Sequence, residues 1–152
     1  MEAELSTSAL PESGAERAIE IYRRVLVPVD FSHESHDAIY MALELRRRFG
    51  SEICVFNLTN LGVSGDEYST GDLEIDGRDR LLDLLEMLKP GCGGVVQTQV
   101  CVGEDVARWI HDVATAWQAT LVVLATHPSH TVFRNLTEKI MRALNVPILI
   151  LR

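Results

Sequence analysis

Several side chains able to do chemistry crowd into one short segment, from Asp30 to His36. Its reactive members are Asp30, Ser32, His33, Glu34, Ser35 and His36. Such residue types suggest hydrolytic chemistry, in which a base activates a nucleophile and an acid orients the base. Residues crowded into one loop do not form that arrangement, because the three groups must converge in a defined geometry. We therefore predict that the chain is not an enzyme.

The histidines suggest a second kind of chemistry, which is metal binding or proton sensing. Two H-x-x-H pairs occur, one at His33 and His36 and the other at His127 and His130. Together with Asp30 they could hold a transition metal such as zinc, or act as a latch that responds as imidazoles gain charge at roughly pH 6 to 7. Loop histidines are also commonly plain solvated residues. We expect no bound metal, and these four histidines would be the ligands if one were bound.

The elements that position these residues alternate between strands and helices. Short runs rich in Val, Ile and Leu predict five strands, at 25–29, 52–58, 95–102, 120–125 and 146–151. Helical spacing of apolar residues predicts four intervening helices, at 39–49, 80–88, 103–117 and 136–144. Residues 59–77 are polar, acidic and contain glycine, so we expect a long loop there.

This alternation predicts an α/β fold, with a parallel sheet covered by helices on both faces. In such open sheets, ligands bind beyond the carboxyl ends of the strands, where the winding direction reverses. We therefore expect any ligand to lie at the segments that follow the first and fourth strands.

Length and composition bound the class of protein. The 152 residues are 47% hydrophobic, which suits one filled core. No apolar run reaches the roughly 20 residues that cross a bilayer, and the acidic N-terminus is unlike a secretory signal, so we expect a cytoplasmic protein without a membrane partner. The formal net charge of −8 disfavours nucleic acid as a partner. Cys54, Cys92 and Cys101 lack C-x-x-C spacing, and we expect reduced, structural thiols.

Five segments, taken in order, resemble the universal stress protein family. RVLVPVDFS, from Arg24, is similar to that family's first strand and loop, and VPILI, from Val146, is similar to its last strand. Gly103-Glu-Asp, LVVLATH and EKIMR lie between them in the family's order. The resemblance covers residues 24–152 and implies an open five-stranded parallel sheet in the order 3-2-1-4-5, a Rossmann-like arrangement. We expect residues 1–23 to precede this domain as an acidic extension, partly disordered or helical.

Members of this family that bind ATP carry a G-x2-G-x9-G-[ST] loop after the fourth strand, and this chain departs from it throughout. Glycines in such a loop let backbone N–H groups approach phosphate closely. Ala125, Pro128 and the pair Arg134-Asn135 stand at those positions here, and only five residues separate Pro128 from Arg134. Proline also has no N–H to donate. The resemblance therefore implies the non-ATP-binding type, with no cofactor.

The alternative is a vestigial nucleotide site. Seven residues would form it: Val29, Asp30, Leu58, Leu124, Ala125, Arg134 and Asn135. By resemblance, Asp30 would contact the nucleoside and the apolar residues would surround the base, while Arg134 could pair directly with phosphate. The simpler interpretation is structural, because Asp30 can cap its loop and Asn135 with Glu138 fits a helix capping box.

We expect a homodimeric stress-response or signalling module that acts through an unknown protein partner. An edge strand as apolar as VPILIL needs cover, so we expect the last strand, which begins at Val146 and ends at Leu151, to pair with its symmetry mate as it commonly does in relatives. The alternative function is a switch that binds ATP or another nucleotide through the loops after strands 1 and 4.

Overall fold

The computed structural model describes residues 14–60, 70–126 and 131–152, which form five strands and the helices between them. In chain order the elements are α1 (Gly14–Ile21), β1 (Arg24–Val29), α2 (His33–Phe49), β2 (Glu52–Asn60), α3 (Thr70–Leu88), a 3₁₀ turn (Cys92–Gly94), β3 (Gln97–Gly103), α4 (Val106–Trp117), β4 (Leu121–Ala125), α5 (Thr131–Ala143) and β5 (Ile148–Leu151). Each pair of neighbouring strands is parallel, in the order β3-β2-β1-β4-β5. The predicted α/β fold and strand order are confirmed.

The sheet is buried on both faces, and the central strand β1 shows this most clearly. Val25, Leu26 and Val27 are all fully buried. Because alternate residues of a strand point to opposite faces, Val25 and Val27 pack in one core with α2 and α3, while Leu26 packs in a second core with α4 and α5. A strand covered on both faces is a continuous apolar run, which is why this strand was recognisable in the sequence.

The predicted loop at 59–77 is wrong at both of its ends. Strand β2 continues to Asn60, and helix α3 begins at Thr70; residues 61–69 lie outside the described residues. Leu73 and Leu81 are buried on one face of α3, with Gly77 buried between them. Between Leu73 and Leu81 this face carries only Gly77, so acidic residues and glycines concealed the helical pattern in the first half of α3.

Helix α5 also begins earlier than predicted, at Thr131 and not at Leu136. Asn135 therefore lies within the helix and is not its N-cap, so the predicted capping box is wrong. The predicted segment is the part of α5 in which Ile140 is buried and Leu136 is half-buried.

Helix α2 also begins earlier than predicted, at His33 and not at Ile39, because its first turns, HESHDA, carry few apolar residues. Other boundaries differ from prediction by one to three residues. Helix α4 begins at Val106, because Asp105 precedes it as an N-cap whose carboxylate accepts a hydrogen bond from the backbone N–H of Arg108 at 3.1 Å. Strands β3 and β5 each begin two residues later than predicted. The carbonyl of Pro147 nevertheless accepts a hydrogen bond from Val122, which extends the contact with β4 beyond the strand itself.

Helix α1 is held at its C-terminal end against the start of the sheet. The ring of Tyr22 stacks on that of Phe49, with centroids 4.6 Å apart, and the hydroxyl of Thr120 donates to the carbonyl of Ile21 at 2.7 Å. Of the predicted extension, residues 14–21 are helical. Residues 1–13 lie outside the described residues. The division of the chain at residue 24 stays a prediction.

The three cysteines are free, as expected. Burial raises the pKa of the Cys54 thiol to about 11, and the positive charge of Arg24 opposes this rise only in part. Within the described ranges, no helix combines the length and the apolar character that crossing a bilayer requires.

Strand β3 ends at Gly103, where the lack of a side chain leaves room for the indole of Trp109. This contact gives a test of the packing at the edge of the sheet. A Cβ on residue 103 would overlap Nε1 of Trp109, so Gly103→Ala must displace the half-buried indole. We expect a loss of about 1–3 kcal/mol in the free energy of unfolding, together with a changed tryptophan fluorescence spectrum. Gly93→Ala is the control, since a Cβ there meets nothing within 4 Å. Equal stability of the two variants in urea would contradict this packing.

Candidate functional site

The candidate site lies where the winding of the sheet reverses, at the carboxyl ends of β1, β2 and β4. Strand β1 has β2 on one side and β4 on the other, so the segments that follow β1 and β4 diverge to opposite faces and leave a crevice. A cavity of about 140 Å³ opens there. Five of the seven predicted nucleotide-site residues line it: Val29, Asp30, Leu58, Leu124 and Ala125.

Asp30 is the charged residue of this cavity, and its carboxylate organises the turn between β1 and α2. Its Oδ1 accepts hydrogen bonds from the backbone N–H of Ser32 at 3.0 Å, from the Ser32 hydroxyl at 2.5 Å and from the Ser35 hydroxyl at 2.7 Å. The backbone N–H of Asp30 in turn donates to the Ser35 hydroxyl at 3.2 Å. Each of these carboxylate contacts among the described residues reaches Oδ1.

These hydrogen bonds lower the pKa of the carboxyl group. Burial alone would raise the pKa of Asp30, but the hydrogen bonds from Ser32 and Ser35 outweigh it and hold the pKa below its ordinary value of 3.8. The group is therefore ionised at neutral pH. An ionised carboxylate beside an apolar cavity can accept hydrogen bonds from the hydroxyl or amino groups of a ligand.

Phe31, between Asp30 and Ser32, has a backbone conformation that side-chain-bearing residues rarely adopt. Its φ is +66°, in the left-handed region. A non-glycine residue held there costs about 1–3 kcal/mol. The hydrogen bonds to the charged carboxylate, at about 1.5–3 kcal/mol each, are large enough to offset that cost. The guanidinium carbon of Arg80 also lies 4.2 Å from the centroid of the Phe31 ring, a cation–π contact that contributes roughly 0.5–1 kcal/mol at an exposed position.

Two buried polar residues position the end of β1, and sequence analysis gave neither of them this role. Asn57 is 3% exposed, and its side-chain amide donates to the carbonyl of Val29 at 3.0 Å. Ser35 is 6% exposed in the first turns of α2. The signal for Asn57 was present, since it is the polar residue inside the apolar run that forms β2. Its partner could not be known before strand pairing placed it beside Val29.

The remaining wall of the cavity is apolar and comes from α4 and α5. Val106 and Ile110 of α4 face Leu136 and Ile140 of α5 across it. Val106 and Leu136 also line a second, more open groove of about 710 Å³ between the two helices, which bears Arg108, His111 and Lys139. The larger groove is a surface cleft, so the smaller cavity, with its buried walls and ionised Asp30, is the candidate binding site.

The rest of the predicted site falls on parts of the chain that the structure does not describe. His127, Pro128 and His130 lie outside the described residues, as do the side chains of Arg134 and Asn135, although both of these belong to α5. His33 and His36 lie in the first turns of α2, with ring centroids 5.1 Å apart in an edge-to-face arrangement. Among the residues that are described, no group of three His, Cys, Asp or Glu side chains is placed to hold a metal ion. The convergence of the two histidine pairs stays a prediction.

A doubly wound parallel sheet with a cavity at its switch point defines the class of open α/β proteins. Within that class, the model of the universal stress protein family matches residues 21–152, and the chain belongs to this family. Among curated proteins, none matches the chain significantly.

Solved structures of the same family share the fold. A universal stress protein family member from Burkholderia pseudomallei is 23% identical, with a TM-score of 0.64 over 86% of this chain and 96% of its own. A universal stress protein in complex with cAMP is 17% identical, with a TM-score of 0.61 over 86% and 97%. One from Archaeoglobus fulgidus in complex with dAMP is 19% identical, with a TM-score of 0.58 over 87% and 99%.

The hydroxyl of Ser35 is expected to control the ionisation of Asp30. Ser35→Ala removes one of the hydrogen bonds that lower the Asp30 pKa, so that pKa should rise, as measured by carboxyl-carbon NMR titration. Because the folded pKa is depressed, ionised Asp30 contributes stability that is present above its ordinary value of 3.8 and is lost as pH falls through the folded pKa. The variant should therefore lose less stability than the parent on acidification.

Ser51→Ala is the matched control for that experiment. Ser51 is the other buried serine, and its hydroxyl has no hydrogen-bond partner among the described residues. This variant should leave the titration of Asp30 unchanged. An unchanged Asp30 pKa in Ser35→Ala as well would mean that the Ser35 hydroxyl does not lower the pKa of Asp30.

Proposed function

We propose that this universal stress protein is a non-catalytic regulatory module, which acts in the cytoplasm through dimerisation and an unknown protein partner and binds no ATP tightly. The observation that carries the proposal is the candidate cavity, which joins an ionised Asp30 to about 140 Å³ of largely apolar space. This volume is smaller than the roughly 300–1,000 Å³ of pockets that usually hold small organic ligands, which supports the absence of tight ATP binding. Neither nucleic acid nor a membrane is proposed as a partner.

The absence of tight ATP binding follows from the substitutions in the glycine loop. Ala125 is the last residue of β4 and lines the cavity where relatives that bind ATP have the first glycine of their phosphate loop. Pro128 cannot donate a backbone hydrogen bond, and the shortened spacing to Arg134 removes further donors. A triphosphate would therefore lack the backbone N–H groups that usually hold it.

The proposal that the chain is not an enzyme rests on the partners of the candidate nucleophiles. The hydroxyls of Ser32 and Ser35 both donate to Asp30. A carboxylate with a depressed pKa accepts those hydrogen bonds without removing the protons. A serine nucleophile instead needs a base such as histidine within hydrogen-bond distance.

The second candidate function is a switch that responds to a nucleotide with a single phosphate. The carboxylate of Asp30 beside the apolar walls formed by Val29, Leu58 and Leu124 suits a sugar hydroxyl next to a base. Two of the similar structures are described as complexes with cAMP and with dAMP, each of which has one phosphate group. Loss of a triphosphate loop does not remove the contacts that such a ligand needs.

Titration calorimetry separates the two candidates. We expect no heat of binding with Mg-ATP in the micromolar range, and no rescue by the double change Ala125→Gly and Pro128→Gly, because the loop stays short. Micromolar or tighter binding of ATP would overturn the first proposal. Binding of cAMP or dAMP that is lost in Asp30→Asn but kept in Asp37→Asn, an exposed carboxylate of α2, would establish the second.

Dimerisation through β5 is proposed from the position of that strand at the edge of the sheet. Ile148–Leu151 pairs with β4 on one side only, and its residues are half-buried. Leu149 and Leu151 pack against one core and Ile148 against the other, whereas Ile150 belongs to neither core cluster. An apolar edge strand is usually covered, because its unpaired N–H and C=O groups invite association.

We expect a dimer at tens of micromolar in multi-angle light scattering, and a monomer for Ile150→Lys, which places a charge at the strand edge. Deletion of residues 147–152 should also give a monomer. Leu82→Lys is the control, since Leu82 is a 42% exposed apolar residue on α3, away from β5. A monomeric parent protein, or a dimeric Ile150→Lys variant, would be incompatible with this interface.

A further inference from the structure

One contact joins the candidate site to a helix that does not line it. Arg80 belongs to α3, which covers β2 and β3, and its guanidinium lies over the ring of Phe31 in the turn after β1. Phe31 itself does not line the cavity, but its neighbour Asp30 does. The contact therefore connects a helix of the α2/α3 face to the charged end of the site.

The part of α3 that carries Arg80 is packed on the core. Leu81 and Leu85, which follow Arg80 in α3, are fully buried in the cluster that also includes Val27 and Ile39. Phe31 is partly buried and packs against the same cluster. The guanidinium thus extends from a helix that is packed on the core to a ring that is partly buried on the same core, so the contact restrains the ring.

Restraining the ring restrains the backbone, because the turn is closed across Phe31. The Oδ1 atom of Asp30 accepts from the N–H of Ser32 at 3.0 Å, and this bond spans Phe31 with its φ of +66°. If Phe31 relaxed to a negative φ, the N–H of Ser32 would turn away from the carboxylate. Few non-glycine residues remain in the left-handed region unless surrounding contacts hold them there.

We propose that Arg80 and Phe31 form a latch through which helix α3 sets the conformation of the turn at Asp30–Ser32, and thereby whether the Asp30 carboxylate is presented to the cavity. The proposal rests on the proposed function only in taking that cavity as the binding site. Arg80 is a positioning residue, since it acts on the site through Phe31. A displacement of α3, whatever its source, would release the ring and loosen the turn.

Backbone amide hydrogen exchange at Ser32 tests the latch without any ligand, so its failure is distinct from failure of the proposed function. Arg80→Ala should speed exchange at Ser32 by about two- to five-fold, which is the loss of one exposed cation–π contact. Phe31→Leu should speed exchange at least as much, because it removes the ring that Arg80 contacts and also weakens the packing of that ring on the core, while it keeps the charge of Arg80. The double variant should exchange no faster than Phe31→Leu alone, since the contact with Arg80 is already lost there.

Two controls separate positioning from charge and from general destabilisation. Arg78→Ala removes an exposed arginine of the same helix, two residues away, and should leave exchange at Ser32 unchanged. The pKa of Asp30 should rise in Phe31→Leu as well as in Arg80→Ala, whereas a purely coulombic effect of Arg80 would move it only in the second variant. The latch is refuted if exchange in Arg80→Ala equals that in Arg78→Ala, or if the two single effects add.

Discussion

The structure depends on the position of β1, which is buried on both faces and paired on both edges. Its register with β2 extends from Arg24 to Val29, and its pairing with β4 involves Val25 and Leu26. Because both faces of β1 are buried, its side chains are apolar from Val25 to Val29, where the strand ends. Asp30 is the first residue beyond the strand, and its side chain is charged. The chain must then turn at once, because α2 begins at His33. The strained Phe31, the serines that bind Asp30 and the cavity itself all follow from that requirement.

The candidate site therefore combines structural and functional roles in the same residues. Ser35 is buried and holds the carboxylate, Asn57 holds the carbonyl of Val29, and neither needs a ligand to account for its hydrogen bonds. What these contacts leave is an ionised carboxylate at the mouth of an apolar cavity. Buried polar groups that are fully paired give a single arrangement of the core. In this protein that arrangement also determines what a ligand would meet.

Membership of the universal stress protein family does not decide between the two candidate functions, because one fold can host many activities. The evidence that discriminates is local. The position of Ala125 weighs against a triphosphate, whereas Asp30 and its apolar neighbours suit a nucleoside. The electrostatics agree with this division. An acidic chain with a net charge of −8 attracts a highly charged anion poorly unless a dedicated group of donors offsets the repulsion.

The sequence by itself determined the α/β class, because strands buried on both faces are continuous apolar runs, and five such runs alternating with helical patterns allow few arrangements. Resemblance of its segments to a known family implied the strand order. It also pointed to Asp30, Val29, Leu58, Leu124 and Ala125, which lie at strand ends, and parallel strand ends converge at one edge of a sheet. Helical segments with few apolar residues, such as the first turns of α2 and α3, were missed because their sequences resemble loops.

Only the tertiary structure decided the contacts between segments that are distant in sequence. Asn57 reaches Val29 because β1 and β2 pair in register, and Arg80 reaches Phe31 because α3 packs on the same core as the turn after β1. Neither pair has a recognisable spacing. The left-handed conformation of Phe31 was equally hidden, since its residue type argues against it. The physical reason is that a local sequence specifies local propensity, whereas strain and long-range pairing are stabilised by packing that exists only in the folded chain.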